Sequence, residues 1–226
     1  MTTLEEDWGT APALPQPERR GVPWEDSELS GWVGFYRTLR DLLLHPGEFF
    51  GNLGPGGWAE PLAFALIVST AGLLIALFWQ LLILAGPIGN TSGPAAPLNL
   101  GTGALLGLMI VSPLLVLADL AVGSLCWWGS VALSGAGRDF TPAWRIFCYA
   151  HGGLVLALIP FLGMLVAGIW ILSLMYIGAK EGFGLSALGA LGALAIFLSF
   201  QAVLGMVLLL GLTVGLAGLG FLALLG

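Results

Sequence analysis

Charged residues are scarce in this sequence. Asp, Glu, Lys and Arg make up 9% of its 226 residues and hydrophobic residues 58%, whereas a soluble domain usually has about 25% charged residues. Several apolar runs reach the length of about 20 residues that crosses a hydrocarbon core as a helix. The composition therefore excludes a soluble globular domain and indicates an all-α fold, a polytopic membrane helical bundle.

The sequence also lacks the residue clusters that catalysis and metal binding need. It contains two Cys and two His, and it has no GxSxG, HExxH or P-loop motif. Its seven basic residues form no patch for nucleic acid. Cys126 and Cys148 both fall in predicted spans, so no disulfide is expected. We therefore expect a protein that is not an enzyme, holds no cofactor or metal, and binds no nucleic acid.

Most of the net charge of −6 lies at the N-terminus. Residues 1–30 hold seven acidic and two basic residues, which gives −5 and leaves −1 for the rest of the chain. This stretch is rich in Pro and has no apolar period, so we predict a disordered cytoplasmic tail. It lacks the positive start and apolar middle of a signal peptide.

Residues 31–55 are predicted to form an interfacial amphipathic helix followed by a short apolar wedge. Apolar residues recur at helical spacing as far as His45, while Arg37 and Arg40 fall largely on the other side. Two arrangements fit this pattern: a helix lying among the lipid headgroups, or one packed on the cytoplasmic ends of the spans. The expected anchors in lipid or on the inner rim of the bundle are Trp32, Phe35, Leu39, Phe49 and Phe50.

Residues 56–226 are predicted to form the transmembrane domain. A single helix through Pro160 would overshoot the bilayer and lose a backbone hydrogen bond, so a hairpin is expected there. The last apolar region, 185–226, fits one span or two spans that turn near 205–211, and its length alone favours two. With one span at the end, about five transmembrane helices are predicted, at 61–85, 104–133, 144–161, 163–180 and 185–212.

The basic residues near the span ends predict the orientation. All of them flank the same side of the predicted membrane domain, and the loop after the first span and the turn at Pro160 contain none. Basic residues concentrate in cytoplasmic loops, so the N-terminus is expected in the cytoplasm. The residues that carry this prediction are Arg37, Arg40, Arg138, Arg145 and Lys180.

An ordered set of motifs resembles prokaryotic members of the Yip family, named after Ypt/Rab-interacting proteins. It begins with the juxtamembrane stretch 35–50, whose helix is followed by Pro and Phe-Phe, and it continues over some forty positions of the predicted hairpin. The resemblance implies a multi-pass protein that organises membranes or acts as an adaptor, and it favours a single last span. The matching residues in the hairpin are Arg145, Tyr149, Pro160, Gly163 and Trp170.

Three polar residues fall within the predicted spans. At about 1.5 Å per residue, Asp119 and Gln201 lie roughly 21–22 Å from the cytoplasmic ends of their spans and His151 roughly 10 Å, so His151 joins them only if its helix starts deeper. Ionisable residues at such depths suggest function by default. The alternative, which we favour, is that Asp119 and His151 satisfy each other as interhelical contacts. We also expect Asp119 to be hydrogen-bonded across helices or protonated.

Two functional hypotheses follow. The first is a non-enzymatic protein of the plasma (bacterial inner) membrane that binds lipids and, through small residues in its spans, packs with copies of itself or with another protein. Eukaryotic Yip proteins bind prenylated Rab GTPases, and that role does not extend to a prokaryotic chain. The second is a small-solute or proton-coupled transporter that uses the polar layer.

Overall fold

The computed structural model describes residues 21–85 and 101–225, and this part of the chain consists of helices joined by short loops, without strands. A short 3₁₀ helix comes first, at Pro23–Glu25. Seven α-helices follow: α1 Gly31–Leu44, α2 Pro46–Gly51, α3 Ala59–Ala85, α4 Thr102–Leu133, α5 Phe140–Ala150, α6 Gly163–Ile177 and α7 Ala187–Leu225. A 3₁₀ helix, His151–Leu158, continues α5, and a π-helical turn, Gly178–Gly182, ends α6.

Within the described residues, four helices are long and apolar enough to cross a membrane. They are α3 with Ala59–Ile83, α4 with Thr102–Leu133, α6 with Gly163–Gly182 and α7 with Ala187–Gly211. The prediction of an all-α membrane bundle is therefore confirmed. The predicted loop after the first span lies largely outside the described residues.

Helix α4 continues through Pro113, as the sequence predicts for one long helix. Proline has no N–H to donate to the carbonyl of Met109, four residues earlier. The hydroxyl of Ser112 donates to that carbonyl at 2.9 Å instead. A Ser side chain that replaces a missing backbone donor is one reason why Pro is tolerated inside membrane helices.

The third predicted span, 144–161, is not a single α-helix, and this corrects the sequence prediction. Helix α5 ends at Ala150, and the chain tightens into the 3₁₀ helix His151–Leu158. This 3₁₀ helix is closely packed at its start, because a Cβ on Gly152 would overlap Leu42 and one on Gly153 would lie 3.0 Å from Ile171. At about 1.5 and 2.0 Å per residue, the two pieces together still extend roughly 32 Å.

The hairpin turn lies between this 3₁₀ helix and α6, at Pro160–Gly163. Phe161 has a positive φ of 63°, and the amide of Gly163 donates to the carbonyl of Ile159 at 3.0 Å. A Cβ on Gly163 would lie 2.7 Å from the carbonyl oxygen of Leu156. Glycine is therefore required where α6 begins against the preceding 3₁₀ helix.

Helix α7 runs without interruption over 39 residues. It has no turn near 205–211, so the alternative of two spans is not found, and the helix continues past the predicted end at 212. Its rise of about 1.5 Å per residue gives a length of roughly 58 Å. The first half packs against α4 and α6, whereas residues 205–211 are exposed.

The centre of the bundle is α5 together with the start of the 3₁₀ helix that follows it. Residues 143–153 are all buried, surrounded by α3, α4 and α6. The ring of Phe147 lies 5.9 Å from that of Phe197 in α7. A Cβ on Gly123 of α4 would overlap Phe147, so this glycine lets α4 approach α5 closely.

The N-terminal region differs from its prediction in one way. Residues 21–30 are part of the fold, so the disordered tail expected over 1–30 does not reach them; residues 1–20 lie outside the described part. Of the two arrangements left open for residues 31–55, Phe49 and Phe50 of α2 follow the one packed on the bundle: they are buried, and they pack on each other and on the ring of Tyr149, 5.3 Å from Phe49.

Candidate functional site

The structure brings three polar residues together along the second half of α5. We call Glu25, Arg145 and Tyr149 the Arg145 cluster, and the end of the bundle that carries it, with α1 and α2, the α1 end. The side chain of Arg145 is only 3% exposed and that of Glu25 is 19% exposed. Nη2 of Arg145 lies 2.9 Å from Oε1 of Glu25 and donates to Oε2 at 3.0 Å. A buried charge needs such a partner because its desolvation is costly.

Helix α5 fixes the other members of the Arg145 cluster. Tyr149 lies one turn after Arg145 on the same face, and its hydroxyl donates to Oε1 of Glu25 at 2.6 Å. On the opposite side, Nη1 of Arg145 donates to the carbonyl of Gly57 at 3.2 Å. A Cβ on Gly56 would overlap the guanidinium. The loop between α2 and α3, residues 52–58, which we call the glycine loop, therefore lies directly on Arg145.

One donor of Arg145 remains unused. Its Nε is buried and has no hydrogen-bond partner among the described residues. A buried donor without an acceptor costs free energy, typically about 1–3 kcal/mol. The Arg145 cluster therefore neutralises the charge of Arg145 without satisfying the whole guanidinium.

A second attachment holds Glu25 in place. The preceding residue, Trp24, donates through Nε1 to the carbonyl of Glu60 at 2.8 Å and through its backbone amide to the hydroxyl of Thr38 at 2.9 Å. Its indole packs against Phe35, with the ring centroids 5.9 Å apart. The short 3₁₀ helix thus contacts α1 and α3 through Trp24, and it contacts α5 through the carboxylate of Glu25.

A cavity of about 510 Å³ lies beside Arg145. It opens between the glycine loop and the first turn of α5, and Asp139 is the acidic residue in its lining. Other residues that line it are Gly54, Gly56, Thr141, Pro142 and Arg145. A second cavity, of about 680 Å³, lies between residues 21–23 and helices α1 and α2.

The intramembrane polar residues are only partly brought together. Nε2 of His151 lies 3.4 Å from Oδ2 of Asp119. The side chain of His151 is 8% exposed, whereas that of Asp119 is 58% exposed at the outside of the bundle. Nδ1 of His151 lies 2.9 Å from the carbonyl oxygen of Phe147, and Nε2 faces the carboxylate of Asp119. Gln201 is half-buried and has no hydrogen bond to either residue within the described part of the chain.

The predicted interfacial anchors fall into three groups. Trp32 is 83% exposed, Phe35 and Leu39 are half-buried against the core, and Phe49 and Phe50 are buried.

Of the remaining residues that carry the family resemblance, Pro160 and Gly163 form the hairpin turn. Trp170 packs beside the core from α6, and its indole nitrogen is buried without a partner in the described residues.

Sequence reasoning missed the role of Glu25. It used Arg145 as a basic residue near a span end and as part of the family resemblance, and it named no acidic partner for it. The available signal was Arg145 itself, four residues before Tyr149 in an otherwise apolar segment, together with the Pro-Trp-Glu stretch at 23–25. The separation of 120 residues between Glu25 and Arg145 hid their pairing.

The described residues contain no group of three or more His, Cys, Asp or Glu side chains that could hold a metal ion. The polar chemistry of the described chain is therefore concentrated in the Arg145 cluster at the α1 end and in the Asp119–His151 pair within the bundle. A scan against protein-family models, a search of curated proteins and a search of solved structures found no match to this chain.

Proposed function

We propose that this chain is a non-enzymatic protein that organises or bends the plasma membrane, as its resemblance to the Yip family implies. In this proposal the α1 end of the bundle faces the cytoplasm, and α1 lies among the lipid headgroups. The basic residues at this end, among them Arg37 in α1 and Arg138 in the loop before α5, support the orientation.

The observation that carries the proposal is the exposed face of α1. Trp32 and Tyr36, 83% and 66% exposed, lie one turn apart on the same side of the helix. Arg40 follows one turn further and is exposed as well, as is Arg37. Exposed aromatic rings beside basic side chains are typical of the boundary between headgroups and acyl chains.

The opposite face of α1 is seated on the bundle. Gly34, Thr38 and Leu42, at successive turns, are buried. A Cβ on Gly34 would lie 2.6 Å from the carbonyl oxygen of Pro23, so the helix and the N-terminal segment are in close contact. An amphipathic helix fixed at this level occupies headgroup volume in one leaflet, which favours curvature towards that leaflet.

The test is a comparison of vesicles reconstituted with full-length protein. Cryo-electron microscopy should show smaller or tubulated vesicles with the native chain and loss of this effect with Trp32→Ser/Tyr36→Ser. Trp58→Ser is the matched control, because Trp58 is as exposed as Tyr36, lies at the same end and is outside α1. Equal loss in the control, or native protein without effect on vesicle shape, would contradict the proposed role of α1.

Transport is a second candidate, and the contact between Asp119 and His151 is the observation that favours it. Ionisable pairs within membrane domains often mark proton or solute paths. Against it, residues 143–153 fill the centre of the bundle, and neither cavity described above is lined by Asp119 or His151.

Flux assays in proteoliposomes distinguish the two candidates. A scaffold should leave the proton permeability of the vesicles unchanged, whereas a proton-coupled transporter should raise it. The variant Asp119→Asn/His151→Phe should abolish any such flux and should leave the vesicle-shaping effect intact if the pair is only an interhelical contact.

A further inference from the structure

We propose that Arg145 and Tyr149 form a binding site for a phosphate group, and that the carboxylate of Glu25 occupies this site as a built-in competitor. The inference does not depend on the membrane-organising role of α1. It rests on the geometry of the Arg145 cluster and on the cavity beside it.

The receptor half of the site is built by the bundle alone. Arg145 and Tyr149 are one turn apart on α5, within the run 143–150 that is buried on all sides. The carbonyl of Gly57 accepts a hydrogen bond from Nη1 of Arg145, so the guanidinium is also held from the side away from Glu25. The two donors therefore keep their positions when Glu25 leaves.

The ligand half is held by much less structure. Glu25 ends a 3₁₀ helix of only three residues, and the three residues that follow it, 26–28, are exposed. The three residues before Glu25 provide the other attachments: Val22 is buried, Pro23 packs against Gly34, and Trp24 forms the hydrogen bonds described above. A short segment of this kind can open locally while the rest of a protein stays folded.

The fit of Glu25 to the guanidinium is incomplete. Nε and Nη2 point along the same edge of the group, the edge that holds oxyanions through two parallel hydrogen bonds. Both carboxylate oxygens of Glu25 lie near Nη2, at 2.9 and 3.0 Å, and Nε is left unpaired. A phosphate has a third free oxygen, so it can accept from Nε, from Nη2 and from the hydroxyl of Tyr149 together.

The cavity of about 510 Å³ reaches Arg145 from the side of residues 54–56, and neither Glu25 nor Tyr149 lines it, so a phosphate reaches the Nε–Nη2 edge only through the space that Glu25 leaves. Its lining includes Thr141 in the first turn of α5, and helix N-termini favour anions. Asp139 in the same lining repels anions in general. Selection therefore depends on the bidentate edge of Arg145, which favours a tetrahedral oxyanion over a diffuse negative charge.

The test uses the full-length protein in nanodiscs of phosphatidylcholine alone or with phosphatidic acid, and inorganic phosphate is added to the neutral discs. Glu25→Gln removes the competing charge, so it should bind phosphate at least about tenfold more tightly than the native chain. Added phosphate should also raise the unfolding temperature of Glu25→Gln by more than it raises that of the native chain. Glu28→Gln is the matched control, because Glu28 is acidic and exposed and has no contact with Arg145.

The comparison of the two additions identifies the source of the phosphate. Stabilisation by phosphatidic acid alone assigns the site to a lipid headgroup, and stabilisation by inorganic phosphate as well assigns it to a soluble phosphate. The proposal is wrong if Glu25→Gln raises the phosphate affinity no more than Glu28→Gln does. It is also wrong if Glu25→Gln/Arg145→Met raises the affinity as much as Glu25→Gln.

A milder variant covers the case in which Glu25→Gln does not fold in neutral discs. Glu25→Asp keeps the charge and withdraws it by one methylene, so its phosphate affinity should lie above that of the native chain. An affinity equal to that of the native chain would overturn the proposal.

Discussion

The hydroxyl of Tyr149 donates a 2.6 Å hydrogen bond to the carboxylate of Glu25, 124 residues earlier in the chain. The bond joins the segment before α1 to the helix at the centre of the bundle. Because Arg145 holds the same carboxylate, three side chains share one pair of opposite charges. The stability of the α1 end should therefore depend on this carboxylate more than on any exposed acidic residue nearby.

Removal of the acidic partner should destabilise the protein. Glu25→Gln leaves the buried guanidinium without a countercharge, which we expect to lower the free energy of unfolding by about 3 kcal/mol, the lower end of the range for buried pairs. Glu25→Gln/Arg145→Met removes both charges and should recover much of this loss. Thermal unfolding in detergent measures both effects, with Glu28→Gln as the control; a double variant less stable than Glu25→Gln would contradict the expectation.

The contact between α4 and α5 should not tolerate a larger residue at Gly123. Gly123→Ala places a Cβ against Phe147, and such overpacking typically costs about 1–3 kcal/mol. Gly107→Ala is the matched control, since it lies on the same helix and its Cβ would have no neighbour within 4 Å. Unfolding temperatures should fall for the first variant and stay level or rise for the second; similar values for both would show that the contact is not tight.

The orientation of the bundle can be tested with single cysteines. In a background with Cys126→Ala and Cys148→Ala, we expect Glu28→Cys at the α1 end to be protected from an impermeant maleimide in intact cells. Phe161→Cys, at the exposed hairpin turn, should react. Lysis of the cells should make both residues reactive. The reverse pattern in intact cells would place the α1 end outside and would contradict the orientation assigned from the basic residues.

The depth of α1 in the membrane should be visible in tryptophan fluorescence. Trp32 is exposed on α1, so lipids brominated near the headgroup should quench it more than lipids brominated at the end of the chain. The difference in quenching between the native protein and Trp32→Phe isolates this residue from the other eight tryptophans. Equal quenching by the two lipids, or none, would place α1 outside the headgroup layer.

The long apolar runs made much of the bundle predictable. Helices α3, α4 and α6 begin or end within a few residues of the predicted spans, because each run must satisfy its backbone internally in a bilayer. The 3₁₀ helix after Ala150 could not be predicted in this way. It lies where Leu42 and Ile171 approach Gly152 and Gly153, and contacts between distant segments leave no periodic signal in the sequence.

Less of the candidate site could be predicted from the sequence. The depths of the polar residues matched Asp119 with Gln201 and left His151 conditional, whereas the structure brings His151 to 3.4 Å from Asp119, the interhelical contact that we favoured as the alternative. The pairing of Glu25 with Arg145 was hidden, because an acidic Pro-rich stretch has the composition of a disordered tail. Only a few residues dock the end of this stretch on the bundle, namely the buried Val22, the indole of Trp24 and the carboxylate of Glu25.

The length of α7 has a consequence for the surrounding lipid. An apolar rod of roughly 58 Å exceeds a hydrocarbon layer of about 30 Å by nearly a factor of two. To lie wholly within that layer, it would have to lean by roughly 59° from the bilayer normal, beyond the usual range of about 0–40°. The bilayer next to α7 should therefore thicken locally, and the protein should collect in the thickest membrane available to it, because hydrophobic mismatch sorts helices by length.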